Sequence, residues 1–295
     1  YNGHTTGTAI TLMVRNLNTR SSDYAKTADL LRPGHADYTA YAKYEGFQDA
    51  RGGGHFSGRI TAASVAAGTI CETVLNSLGV KVYTHIAECA GVKDAPLSSA
   101  AGLVMPAPQP GHFALLDASK EEAMQTAIRA AGSEGDSVGG IVECAVVGLP
   151  AGLGEPMFGG MEGRLAQILY GIPAVKGVAF GDGFGVADRL GSENNDPFRI
   201  VEGKVVTTTN HCGGILGGIT DGMPLTFRAA FKPTPSISKP QESVSLSDLE
   251  NRELIVKGRH DPCIVPRAVP VVEAAAAIAL FDLMLEEREA FHGYY

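Results

Sequence analysis

The chain has 295 residues, 44% of them hydrophobic, with 37 glycines and a formal net charge of −8 from 32 acidic and 24 basic residues. That acidic balance argues against a bulk nucleic-acid binder, which needs a basic excess or stripe. Cys71, Cys89, Cys144, Cys212 and Cys263 are scattered without a CxxC pair, which reads as reduced thiols of a cytoplasmic protein and excludes a zinc or disulfide framework. No apolar run approaches the roughly 20 residues of a membrane span.

Thr5 to Val14 is rich in β-branched residues and predicts a strand, followed by a polar turn from Asn16 to Tyr24. The segment from Arg32 to Arg59 then gathers three arginines, two histidines and two glycine-dense turns. Arginine forks suit carboxylates and phosphates, glycines let backbone N–H groups approach an anion, and histidine moves protons near neutral pH. Those residue types together predict a site for a small, multiply anionic substrate that needs acid catalysis.

Ser57 to Leu78 is small and apolar, with Ser57 as N-cap and Gly79 at C′, and predicts a long buried helix. Val80 to Cys89 reads as a strand and Ala95 to Gly111 as a loop. Ser119 to Glu122 spells a capping box for a helix to about Ala131. Strands are expected at Ser137 to Gly148, Ala174 to Phe180, Arg199 to Thr209 and Leu225 to Phe231, with strand-like character from Ser243 to Val256. Gly163 to Tyr170 reads as helix, Gly191 to Pro197 as a polar loop, and Asn210 to Gly218 as a glycine-rich turn. A long alanine-rich helix is expected from about Pro266 to Arg288, with Pro270 tolerated only near its start.

Arg51 to Arg59 and Gly258 to Arg267 are both polar Gly/Arg/His loops that feed a long helix of small residues. This echo predicts two related halves within one domain spanning residues 1–295. His55, His85, His112, His211 and His292 share no metal-ligand spacing, and neither GxGxxG nor GxSxG occurs. Taken alone, His35 also reads as a surface loop histidine. Asp261 also reads as a loop aspartate paired to a neighbouring arginine.

Seven motifs in order carry a resemblance. They are Arg-Pro-Gly-His-Ala-Asp-Tyr at 32–38, Arg-Gly-Gly-Gly at 51–54, Pro-Ala-Gly-Leu-Gly-Glu-Pro at 150–156, Ala-Val-Lys-Gly at 174–177, Gly-Ser-Glu-Asn-Asn-Asp at 191–196, Gly-Gly-Ile-Leu-Gly-Gly-Ile at 213–219 and Lys-Gly-Arg-His-Asp-Pro-Cys at 257–263. The chain resembles the chorismate synthase family from Tyr1 to its last helix.

The resemblance implies an α+β fold, a β-α-β sandwich with long buried helices between antiparallel sheets, usually assembled as a homotetramer. It implies a lyase of the shikimate pathway that converts 5-enolpyruvylshikimate 3-phosphate to chorismate by 1,4-anti elimination of phosphate. Reduced FMN is the implied cofactor, with NADPH as a reductant in some members. His35 matches an active-site histidine of proton transfer, and Asp261 the aspartate that helps remove the C6 proton. Arg32 and Arg59 match substrate-binding arginines. His55, Phe56, Ser57, Pro173, Ala174, Gly217, Lys232, Pro233, Thr234, Pro235, Ser236 and Arg259 match flavin-binding positions. His55-Phe56-Ser57 departs from the Arg-Ser-Ser of many members, which changes one charge and one hydroxyl. The family's N-terminal segment, with a Gly-Glu-Ser-His-Gly motif and a second histidine, is not among these 295 residues. A chain without it is expected to have very low activity, and the rival reading is a truncated, non-catalytic FMN-binding scaffold.

Overall fold

The computed structural model describes residues 2–16, 29–49, 53–97, 111–256, 258 and 260–291, the side chains of 288–291 aside. In chain order the helices are α1 (Asp37–Lys43), α2 (Thr61–Ser77), α3 (Glu121–Ser133), α4 (Met161–Tyr170), α5 (Gly191–Asn194) and α6 (Val265–Phe291). The strands are β1 (Lys81–Cys89), β2 (Val92–Lys93), β3 (Gly140–Val147), β4 (Val175–Phe180), β5 (Phe198–Val201), β6 (Lys204–Thr207), β7 (Ile215–Leu216), β8 (Ile219–Thr220), β9 (Leu225–Phe231), β10 (Gln241–Ser245) and β11 (Glu250–Leu254).

One antiparallel sheet, in the order β2-β1-β3-β9-β4, organises the molecule. Along β9 the buried residues Leu225, Phe227, Ala229 and Phe231 alternate with half-exposed ones, the period-two pattern of a strand with one packed face. Thr84 on β1 donates to Glu273 Oε2 of α6 at 2.7 Å, so this face of the sheet meets α6. The small, apolar sequence of α6 lets it lie between the sheet, α2 and α4. At the α2–α6 crossing, a Cβ on Gly68 would stand 2.3 Å from Ala274 Cβ and 2.4 Å from its Cα. Only glycine permits that approach.

His85, the next residue after Thr84, is fully buried between two carboxylates. Its Nδ1 is 3.0 Å from Asp94 Oδ2 and its Nε2 is 3.0 Å from Glu143 Oε2. Those carboxylates also accept backbone N–H groups of Leu97, Leu116 and Asp117. The cluster therefore ties both flanks of the 98–110 segment to β1 and β3. That segment, most of the predicted 95–111 loop, lies outside the described residues, as does most of the Asn16–Tyr24 turn.

The α+β class and the antiparallel sheets agree with the sequence reading; several local expectations do not. Thr5 to Val14 is an exposed, irregular segment, because among the described residues no strand lies beside it to take its hydrogen bonds. The capping box gives way to Asp117, whose Oδ1 accepts Ser119 N at 3.0 Å and Ser119 Oγ at 2.6 Å, and α3 starts at Glu121. The Arg199–Thr209 strand is a hairpin of β5 and β6. Its Glu202-Gly203 turn has φ 50° and 76°, as a two-residue turn of type I′ requires. The Ser243–Val256 stretch is likewise a hairpin, and the 191–197 loop contains the single turn of α5.

Gly79, with φ 82°, ends α2 in a Schellman motif, its N–H on Asn76 O at 3.1 Å and that of Val80 on Leu75 O at 3.0 Å. Yet α2 is only half-buried: of its residues only Gly68 and Leu75 are buried, because α6 covers one side of it. The layering seen among the described residues is thus sheet, α6, α2. The two helices of the predicted repeat pack on one another, α6 deep in the core and α2 at its edge. The membrane expectation also needs correcting. Val265–Glu287 of α6 is long and apolar enough by composition to cross a bilayer, and most of its apolar side chains, Leu285 aside, are instead buried or half-buried in the protein. Pro270 is the sixth residue of that helix and faces outward.

Candidate active site

Four strand ends form a row at one end of the sheet: Cys89 pairs with Gly140, Gly140 with Phe231, and Phe231 with Val175. The segments leaving this row carry most of the predicted site. Lys232 N donates to Ala174 O at 3.0 Å, and Ser137 Oγ to Thr234 O at 2.7 Å. Val138 N donates to Pro262 O at 2.8 Å, which brings the Asp261 turn alongside. Cys89 and Cys263 meet here with sulfurs 3.4 Å apart.

The Arg32–Asp37 turn docks on this end through Gly34, whose carbonyl accepts from Lys232 Nζ. Gly34 has φ 71°, a conformation that glycine alone adopts at no cost, and it lies against Lys232 and Pro235. Within the turn, Asp37 opens α1 and takes Arg32 in a bidentate grip, Nε at 2.8 Å and the Nη2 nitrogen at 2.7 Å. The Arg32 Nη1 nitrogen is 3.5 Å from Ser236 Oγ. His35 Nδ1 lies 2.6 Å from Asp37 Oδ1. Burial opposes the charge of Asp37, but hydrogen bonds from His35 and Arg32 outweigh it and hold the carboxyl well below the usual range.

Asp37 is not singled out by the sequence; its His-x-Asp spacing is legible there, but the helix it opens is not. On Asp261, Oδ1 accepts Cys263 N at 3.4 Å, and Oδ2 lies 3.1 Å from Arg267 Nε, a largely exposed arginine that contributes little to stability there.

The structure thus gathers Arg32, His35, Pro173-Ala174, Lys232 to Ser236 and Asp261 around one sheet end. Ala174 itself has φ 75°, left-handed and strained for a residue with a Cβ. Gly217 belongs to the β7–β8 turn, which packs with the 150–161 segment beyond the Leu225 end of β9. Seven residues of β9, roughly 20 Å, separate that end from Phe231. His55, Phe56, Ser57 and Arg59 form two short 3-10 turns ahead of α2, with Ser57 Oγ accepting Arg59 N at 3.2 Å. Among the described residues these four make no hydrogen bond or ion pair to the cluster. Arg51, Lys257 and Arg259 lie outside the described residues.

An α+β fold that seats a histidine, an arginine and a lysine at one end of an antiparallel sheet has the residue types that suit a small, anionic molecule. The comparisons with known proteins give the particular family. The chorismate synthase family model matches residues 1–285. A chorismate synthase from Dehalococcoides mccartyi is 50% identical over 285 residues, covering 97% of this chain and 78% of that protein. One from Korarchaeum cryptofilum is 48% identical over 286 residues, with 96% and 78% covered. A crystal structure of chorismate synthase superposes with a TM-score of 0.66 at 28% identity, covering 84% of this chain and 70% of the other. The chain belongs to the chorismate synthase family.

Proposed function

We propose that this chain makes chorismate from 5-enolpyruvylshikimate 3-phosphate by 1,4-anti elimination of phosphate, with reduced FMN as cofactor. Family membership makes it a lyase of the shikimate pathway, on the way to aromatic amino acids. The observation that carries the finer reading is the seating of His35 and Arg32 on the Lys232–Ser236 turn through Gly34.

The residues at that turn fit a phosphate-bearing flavin. Thr234 Oγ1 is buried and finds no partner among the described residues. Burial, and then the charge of Lys176, hold the Lys232 ammonium below the usual lysine range, a strain that a bound anion would relieve. Lys232, Thr234 and Ser236 would hold the phosphate, with Pro173, Ala174, Pro233 and Pro235 shaping the wall. When bound, the reduced flavin supplies an electron-rich ring for a reaction without net redox change. Arg32 and Arg59 supply positive charge for the substrate's carboxylates and leaving phosphate, whose developing charge is what the site must stabilise. His35 transfers a proton to or from the reacting groups, and Asp261 assists removal of the C6 proton.

The test is an anaerobic assay with chemically reduced FMN and the substrate, following chorismate absorbance. His35→Ala and Asp261→Ala should each lower turnover by about 10²-fold or more. FMN binding without product in the parent chain would replace this reading with that of a non-catalytic flavin-binding scaffold.

We also infer a homotetramer. Phe198, Ile200, Val201 and Val205 leave apolar surface exposed on the β5–β6 hairpin, and light scattering on the eluted protein would give its mass. NADPH as the reductant is tested by replacing the chemical reductant with it. Five unbonded thiols support a reducing, cytoplasmic setting.

A further inference from the structure

The His35 ring lies between two groups that make opposite demands on Nδ1. The Arg32 Nη2 nitrogen, which can only donate, is 3.1 Å away, and Asp37 Oδ1 is 2.6 Å away. An unprotonated Nδ1 would turn its lone pair on the carboxylate at that separation, and the two would repel. A protonated one makes a short, charge-assisted hydrogen bond. The bidentate Arg32 guanidinium holds Asp37 as a carboxylate, which favours the second arrangement. Asp37 also accepts Arg32 N at 3.0 Å, so the same carboxylate closes the turn that carries the histidine.

We propose that Asp37 is the positioning residue of this site, holding the proton of neutral His35 on Nδ1 so that Nε2 is the atom left to exchange a proton with the ligand. The inference rests on the reading of His35 as the proton-transfer residue. The groups around the ring are consistent with it. Arg32 flanks the histidine, Lys232 stands behind Gly34, and among the described residues Asp37 is the carboxylate within hydrogen-bond reach. Ala36 makes no side-chain cap for α1, and Asp37, though first in that helix, directs its carboxylate back to Arg32 and His35. A purely structural brace would need only the bond to Arg32 N, and would leave the ring free to choose its tautomer.

Nitrogen NMR of protein labelled at histidine, in buffer alkaline enough to keep the rings neutral, reads the tautomer directly. The His35 signals are assigned by their loss in His35→Gln. The expected result is a dominant Nδ1–H form in the parent, a shift toward Nε2–H in Asp37→Asn, and retention of Nδ1–H in Asp37→Glu. In the turnover assay, Asp37→Asn should lower kcat by about 10-fold or more with KM little changed. An Nε2–H tautomer in the parent, or an unchanged tautomer in Asp37→Asn, overturns the proposal. Should Asp37→Asn fail to fold, the parent tautomer alone decides. Undiminished turnover by His35→Gln would instead sink the proton-transfer reading, with the tautomer result still standing.

Discussion

Single side chains in this protein are shared between distant parts of the chain. Glu273 of α6 shows what such sharing does to a charge. Burial raises its carboxyl above the usual range, and Glu72 of α2 adds to the shift, against the lowering effect of the Thr84 hydroxyl. The folded state then holds a proton that the unfolded chain releases, so stability falls as pH rises from the ordinary carboxylate value of 4.5. Glu273→Gln keeps an acceptor for Thr84 and removes the ionisable group. Urea unfolding from pH 4.5 upward should show the slope flattened in that variant, and an unchanged slope would place the titration elsewhere. This group was not legible in the sequence, where a glutamate among alanines looks like an ordinary polar face. The same holds for His85, whose two carboxylates stand 9 and 58 residues away. Partners at such separations leave no local pattern, whereas the Gly79 helix stop does.

Among the elements, the meeting of α2 and α6 is the most demanding. Gly68→Ala would bring a methyl group within 2.4 Å of Ala274 backbone, which cannot rotate away as a flexible side chain would. The helix-propensity gain of about 1 kcal/mol opposes this, but overpacking costs about 1–3 kcal/mol, and a backbone contact lies at the upper end. The variant should lose about 1–2 kcal/mol net by chemical denaturation. A more stable Gly68→Ala would mean that the helices can separate freely. Both helices were visible in the sequence from their small apolar residues and end signals. Their burial was not, because α2 and α6 have similar composition, and only the sheet beneath α6 makes one a core helix. The Thr5–Val14 stretch shows the same limit in reverse. Its β-branched residues favour extended backbone, but a strand also needs a neighbour.

In the molecule as a whole, the row from Cys89 through Gly140 and Phe231 to Val175 fixes where the candidate site can be. The arginine and histidine of the 32–37 turn were legible by residue type. Their seat on Lys232 was not, because it joins residues 198 apart. The row has a consequence for how chains of this family can change length. One residue added inside β9 would turn Phe231 to the opposite face and carry the 232–236 turn away from Gly34 by a strand step. One added at Glu202-Gly203, in a two-stranded hairpin outside the large sheet, would lengthen a surface turn and leave the row intact. A scan of single-alanine insertions, scored by soluble yield and FMN affinity, should therefore map tolerance at that hairpin tip and intolerance through β1, β3, β9 and β4. Length variation among natural relatives would then gather at hairpin tips, with the strand interiors constant in residue count.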